Sequence, residues 1–301
     1  MSRSYAIYDV FTDEVLSGNP LAVVFGAEDL DTAAMQRVAG EFNLSETVFV
    51  RPAEAPGHTA NLRIFTPARE LPFAGHPTVG AAIAIAEKNG VSGSAIQVLE
   101  EQVGSVRAAV SVRAGEASFA EFDLPRLPEA IDFDATREAA AVALNIDPVE
   151  IGFENHKIAC WTAGVPYVAV PVSGLAVAAR VSVHAEAWLA LLPGTMAVPA
   201  APYVYCRETV RHDSAFHARM FAPWDGIAED PATGSAVAAF AGQIMRFDEP
   251  VDGPSSFWIE QGMEMGRPSR IRLEIDVKGG RTDAARIGGS AVKVAEGTLS
   301  V

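Results

Sequence analysis

The feature that most limits how this chain can fold is an internal repeat. The stretch RIFTPARELPFAGHPTVGAA, beginning at Arg63, has a counterpart in RMFAPWDGIAEDPATGSAVAA, beginning at Arg219. Arg63-Ile64-Phe65-Thr66-Pro67 matches Arg219-Met220-Phe221-Ala222-Pro223, and His76-Pro77-Thr78-Val79-Gly80 matches Asp230-Pro231-Ala232-Thr233-Gly234. The first match runs from 63 to 219, an offset of 156, and the second from 76 to 230, an offset of 154, which implies a two-residue deletion in the loop between them. A weaker echo, Gly18-Asn19-Pro20 against Gly164-Val165-Pro166, runs from 18 to 164 and leads in each case into an apolar run. An offset near half of 301 residues is what duplication of a whole lobe produces.

The elements within each half agree. In the first, the strand-like runs SYAIYDVF, PLAVVFG, ETVFVR and TANLRIFT surround two helix-like stretches, DTAAMQRVAGEF and PTVGAAIAIAEKNG. The second helix is apolar all round from Val79 to Ala86, and ATGSAVAAFAGQIM nearly so, which places both inside the protein rather than on one face of a sheet. The expected fold is therefore α+β: two pseudo-symmetric lobes, each a curled mixed or antiparallel sheet around a central apolar helix. The first lobe is expected over residues 1–124, with a C-terminal tail of 290–301 able to return to it, and the second over 125–289. FDLPRLPEAIDF reads as the connector.

Charge narrows the function. With 23 Lys and Arg against 38 Asp and Glu, the net charge of −15 repels phosphate backbones and anionic lipid, so neither nucleic acid nor membrane is expected as a partner. No stretch approaches the roughly 20 apolar residues of a membrane span, and the N-terminus lacks a signal-peptide run, so a cytoplasmic protein is expected. Cys160 and Cys206 lie far apart in apolar settings without metal-ligand spacing and read as buried thiols.

Pro77 and Pro231 suit first helical positions, which would make His76 and Asp230 the N-caps of the two buried helices. Asp is a favoured cap and His is not, so capping alone explains Asp230 better than His76. If the lobes are related by a two-fold axis, the two helix mouths face one cleft in which a small carboxylic acid could be held. The plainer alternative is two capped helices with nothing between them. Glu46 is a carboxyl among apolar neighbours in a strand-like run, where desolvation would raise its pKa and suit it to carrying a proton; a solvated or ion-paired edge residue is the plainer reading. His212 and His217 read as solvated surface, and His58, His156 and His184 show no local partner suggesting chemistry. Glu229 is read as pointing away from Asp230, and Tyr8 and Asp9 could reach the cleft by position alone.

Taken together, DVFTDEVLSGNPLAVV, LSETVFV, RIFTPARELPFAGHPTVGAA, FAPWDGIAEDPATGSA and QGMEMGRPSRI resemble, in order and along nearly the whole chain, the phenazine-biosynthesis isomerase (PhzF-like) family, which has the diaminopimelate-epimerase fold. The resemblance implies a cofactor-independent, metal-free isomerase moving a proton on a small amino or hydroxy carboxylic acid in the inter-lobe cleft. It implies Glu46 as the catalytic carboxylate, His76 and Asp230 as its catalytic partners, and Gly75, Gly234 and Ser235 as substrate-binding residues. Homodimers are common in the family. The related epimerases use two cysteines, one per lobe. Here those positions fall at Ala74 and about Pro231-Ala232, so a two-cysteine racemase is disfavoured. An epimerase pairing Glu46 with a second, non-cysteine base, and a non-catalytic small-molecule-binding protein, are the alternatives.

Overall fold

A computed structural model describes residues 2–301. The chain divides into two compact units, Met1–Pro125 with Ile287–Val301, and Arg126–Arg286.

The first unit contains β1 (Ser2–Val10), β2 (Asn19–Phe25), α1 (Thr32–Phe42), β3 (Glu46–Arg51), β4 (Ala60–Phe65), β5 (Glu70–Leu71), α2 (Gly75–Lys88), β6 (Gly93–Glu101), β7 (Gly104–Val112) and β8 (Ser118–Asp123). The second contains β9 (Glu129–Ile131), α3 (Arg137–Leu144), β10 (Ala159–Thr162), β11 (Pro166–Pro171), the short α4 (Leu175–Ala178) and α5 (Ala185–Leu189), β12 (Ala201–Cys206), β13 (Phe216–Ala222), β14 (Ile227–Asp230), α6 (Gly234–Phe247), β15 (Gly253–Gln261) and β16 (Ser269–Lys278). The long β17 (Arg281–Ser300) begins in the second unit and, from Ala291, pairs with β1 in the first.

In the first unit the strands close on themselves. The ring runs β1-β2-β3-β4-β6-β7-β8 and returns through β17 to β1. Closure removes the unpaired strand edges that invite aggregation. The ring surrounds α2, which packs against β1, β2, β3, β6, β7 and β8. Every residue of α2 from Gly75 to Ala86 is buried, and most are Ala, Gly or Val, small enough for a helix to fit inside a ring of strands. α1 lies outside, covering the ring with Met35, Val38 and Ala39 against Val24, Phe49 and Phe65. It begins where Asp31 accepts a 2.7 Å hydrogen bond from the Ala34 amide and ends at Asn43 in the left-handed conformation.

The second unit repeats the pairing. β10–β11 is antiparallel like β1–β2, β11–β12 parallel like β2–β3, and β12–β13 antiparallel like β3–β4. The series continues with β13–β14 matching β4–β5, β13–β15 matching β4–β6, and β15–β16 matching β6–β7. Six pairings in the same order and sense are the duplication read in hydrogen bonds. α6 occupies the place of α2, buried through Ala236 to Ile244. The stretch expected as a plain connector carries the end of β8 and also β9, whose three residues pair with β10.

Candidate active site

α2 begins two residues earlier than its proline suggested. Ala74, in extended conformation, is the N-cap, Gly75 the first helical residue, His76 the second and Pro77 the third. A proline at the third position is tolerated because first-turn amides have no intrahelical acceptor. In the second unit Thr233 precedes the helix, α6 starts at Gly234, and Asp230 ends β14. Neither His76 nor Asp230 is an N-cap.

The register corrects the alignment of the two halves as well. Leu71 pairs with Ile64 as Asp230 pairs with Met220, so Asp230 corresponds to Leu71. The helix starts continue the same offset, with 71 to 230, 75 to 234 and 76 to 235 all separated by 159. The second copy thus carries a three-residue insertion in the β13–β14 turn, where a two-residue deletion was expected. The structural counterpart of His76 is Ser235, and that of Ala74 is Thr233 rather than Pro231-Ala232. Neither of that last pair is a thiol.

His76 is 5% exposed, and its Nδ1 lies 3.3 Å from Oε2 of Glu46, the first residue of β3. Burial drives the imidazole down to about 3, outweighing a hydrogen bond to the Pro20 carbonyl, so the ring is neutral. Its Nε2 is buried and has no partner among the described residues, so the bond to Pro20 comes from Nδ1–H. The ring therefore holds its one proton on Nδ1, between Pro20 and Glu46, and presents a bare Nε2 acceptor. The contact with Glu46 joins a carboxyl to a neutral donor and is not an ion pair. Gly18 shapes the turn that brings Pro20 there, with φ +64° and a space in which a Cβ would sit 2.4 Å from the Val10 carbonyl oxygen.

Two residues along α2, the Thr78 hydroxyl lies 2.8 Å from the Ala74 carbonyl and 2.8 Å from Oε1 of Glu101. Glu101 is buried, its Oε2 has no partner among the described residues, and desolvation pushes its carboxyl up to about 8. Nothing local in the sequence marked this residue.

In the second unit the β14–α6 turn is held by Gln261, a residue that local sequence reasoning passed over. Its Nε2 donates to the Asp230 carbonyl at 2.7 Å and to Thr233 Oγ1 at 2.9 Å, and its Oε1 accepts from the Thr233 amide at 3.3 Å. Thr233 in turn donates to Oδ2 of Asp230 at 2.5 Å. Gly262, at φ +77°, lets Pro231 approach so closely that a Cβ would lie 2.6 Å from its oxygen. The Gln-Gly that opens QGMEMGRPSRI is thus the clamp on the Asp230 turn. On the first turn of α6, Ser235 Oγ lies 2.7 Å from the hydroxyl of Tyr167 in β11.

His217 is fully buried between Glu260 and Glu264, 2.9 Å from each, and is not the solvated residue expected; His212 is exposed. Burial alone would lower its pKa, but the two carboxylates prevail and hold it up to about 9. Glu264 also lies near Arg219, whose guanidinium makes two 2.8 Å bonds to Glu229, so Glu229 is turned to a cation. Tyr8 donates to Glu87 on the last turn of α2, roughly 16 Å along the helix from His76. Asp9 accepts from the Leu16 amide. Both cysteines are buried and free, with burial pushing the Cys160 thiol up to about 11 and Cys206 to about 12. Glu154, His156 and Asp248 converge as metal ligands might, but the Arg207 guanidinium fills the place of the cation, 2.6 Å from Asp248, 3.2 Å from Glu154 and 3.3 Å from His156.

Among the described residues no helix is long and apolar enough to cross a membrane. The sequence profile described as "Phenazine biosynthesis-like protein" matches residues 8–297. An uncharacterized isomerase of Mesorhizobium japonicum is 60% identical over 301 residues, covering 100% of this chain and 99% of its own. The trans-2,3-dihydro-3-hydroxyanthranilate isomerase of Pseudomonas aeruginosa is 34% identical over 97% of this chain and 98% of its own. The crystal structure of a Bacillus anthracis phenazine biosynthesis protein of the PhzF family has a TM-score of 0.89 at 26% identity, with 100% of both chains covered. A hydroxyproline epimerase from Agrobacterium vitis shares the fold alone, with a TM-score of 0.67 at 15% identity over 99% of this chain and 92% of that one. With the profile spanning nearly the whole chain and close relatives named as isomerases, this protein belongs to the phenazine biosynthesis-like (PhzC-PhzF) family and is an isomerase.

Proposed function

We propose that the protein catalyses a cofactor-independent proton shift on a small carboxylic acid bearing an amino or hydroxyl group, with Glu46 as the proton carrier. Glu46 takes a proton from a carbon activated by a neighbouring carboxylate, enamine or diene and returns it to another carbon on the same face, which needs only one base. The observation that carries this reading is the pairing of Glu46 with a buried, neutral His76. A neutral ring does not lock Glu46 into an ion pair. The bare Nε2 accepts a hydrogen bond from a substrate N–H or O–H, which fixes the substrate relative to Glu46.

Asp230, Gly234 and Ser235 supply the second set of substrate contacts, with Gly75 beside His76 on the first. Asp230 sits on a turn fixed by Thr233 and Gln261, which holds its carboxylate in place to meet a donor on the substrate. The class of substrate follows the Pseudomonas relative, whose named substrate is a dihydro-hydroxy amino acid of this type. Epimerisation would need a second base on the opposite face. A ring as reluctant to protonate as His76 is poorly suited to that role.

The test is proton NMR in deuterated buffer with a panel of amino, hydroxy and dihydro-aromatic acids, trans-2,3-dihydro-3-hydroxyanthranilate included, comparing wild type with Glu46→Gln. A double-bond shift is expected, with the substrate proton carried to the new carbon or replaced there by deuterium where Glu46 exchanges with solvent first, slowed at least 10²-fold in the variant. Near-wild-type turnover by Glu46→Gln would remove Glu46 from the role, and deuterium entering with inversion at the original carbon would establish epimerisation instead.

A further inference from the structure

The two halves present different chemistry at matching positions. In the first, Leu21 of β2 lies opposite Glu46 of β3; in the second, Tyr167 of β11 lies opposite Ala201 of β12 in the same parallel register. The position of Glu46 is therefore filled by an alanine, and the position of Leu21 by a phenol. The second residue of the central helix changes too, from His76 to Ser235. Where the first half joins a carboxyl to an imidazole, the second joins a phenol to an alcohol at 2.7 Å.

We propose that Tyr167 is a positioning residue that fixes the proton of Ser235, making Ser235 a hydrogen-bond donor to an oxygen acceptor on the substrate. The inference rests on the reading of Ser235 as a substrate contact. Of the two hydroxyls the phenol is the stronger acid and hence the stronger donor, so Tyr167 O–H donates to Ser235 Oγ. The Ser235 proton is then directed away from Tyr167. Ser235 is also the one residue between Pro231 and Phe240 that is not buried, so its hydroxyl has access to a ligand. A donor held this way offers its O–H to a carboxylate, carbonyl or hydroxyl oxygen. Tyr167 is 6% exposed, so its phenol is held in place by packing and does not compete for the ligand.

Neutron diffraction from a crystal of the ligand-free protein exchanged into heavy water reads the proposal directly. The deuteron of Tyr167 is expected on the line to Ser235 Oγ, with that of Ser235 turned away; a Ser235 deuteron on the line to Tyr167 overturns it. This map does not depend on which acid is the substrate or on the role of Glu46, so a failure of the proton-shift reading remains separate. Kinetically, Tyr167→Phe frees the Ser235 hydroxyl to rotate. On the acid that the NMR panel identifies, KM should rise by about five-fold, with kcat within about two-fold and the pH profile unmoved. A displaced pH profile, or a KM equal to wild type when Ser235→Ala raises it, overturns the assignment.

Discussion

Replacing Glu101 by glutamine should make the protein more stable at alkaline pH and leave it nearly unchanged in acid. The Thr78 hydroxyl has one proton and two oxygens at 2.8 Å, the Ala74 carbonyl and Glu101 Oε1. One proton does not serve both fully, so with Thr78 donating to Ala74, the bond to Glu101 needs a proton from the carboxyl itself. Desolvation agrees, raising Glu101 from 4.5 to about 8. A carboxyl whose folded pKa is raised binds its proton more tightly in the native state, so its contribution is complete below the unfolded value and is lost as pH rises toward the folded one. Between about pH 5 and pH 8 that linkage amounts to roughly 3 to 4 kcal/mol of stability lost. A glutamine amide donates to Thr78 in the same place and does not titrate. In urea denaturation at about pH 5, 6.5 and 8, the stability of Glu101→Gln relative to wild type should climb by about that amount across the series. Parallel curves for the two proteins would refute a neutral Glu101.

His217 predicts a separate alkaline loss. Its pKa is raised from 6.5 to about 9, so its ion-paired contribution is present in full below 6.5 and is lost as pH rises through 9. Wild type should melt above His217→Gln at the acid end of that window, and the gap between the two should close across it by the equivalent of about 3 kcal/mol, in calorimetry at matched pH values. At Gly262, alanine would place a Cβ 2.5 Å from the Arg267 oxygen and 2.6 Å from that of Pro231 at a φ of +77°. The cost should be about 1–3 kcal/mol in chemical denaturation, with a raised KM because the Asp230 turn moves.

The fold was largely legible because its signals are local. An apolar-all-round run means an interior helix wherever it occurs, and α2 and α6 follow from it. The strand runs SYAIYDVF and ETVFVR became β1 and β3 within two residues at either end. Residue identity misled where it stood in for geometry. Pro77 and Pro231 looked like equivalent helix starts, but one is the third residue of its helix and the other lies three residues before its own. His-Pro and Asp-Pro resemble each other at an offset of 154, while the backbone repeats there at 159.

The site itself was legible only where a residue's own type announced chemistry. Glu46 and His76 could be singled out as a carboxyl in a strand and an imidazole at a helix mouth. What sets their behaviour lies elsewhere in the chain: the Pro20 carbonyl, more than 50 residues from His76, decides which ring nitrogen keeps the proton. Gln261 holds a turn some 30 residues away, and His217 is buried by partners 43 and 47 positions on. Such contacts leave no periodicity, because each is made by one side chain crossing between strands that pair only after the sheet has curled. The same reasoning explains why the repeat predicts architecture better than chemistry. Strand pairing constrains which faces are apolar, and both copies obey it. It leaves the identity of a single register position free, so Glu46 in one copy stands against Ala201 in the other without disturbing a ladder hydrogen bond. On the one-base reading proposed above, the frame stays symmetric while a carboxyl and an imidazole in one half stand against the hydroxyls of Tyr167 and Ser235 in the other.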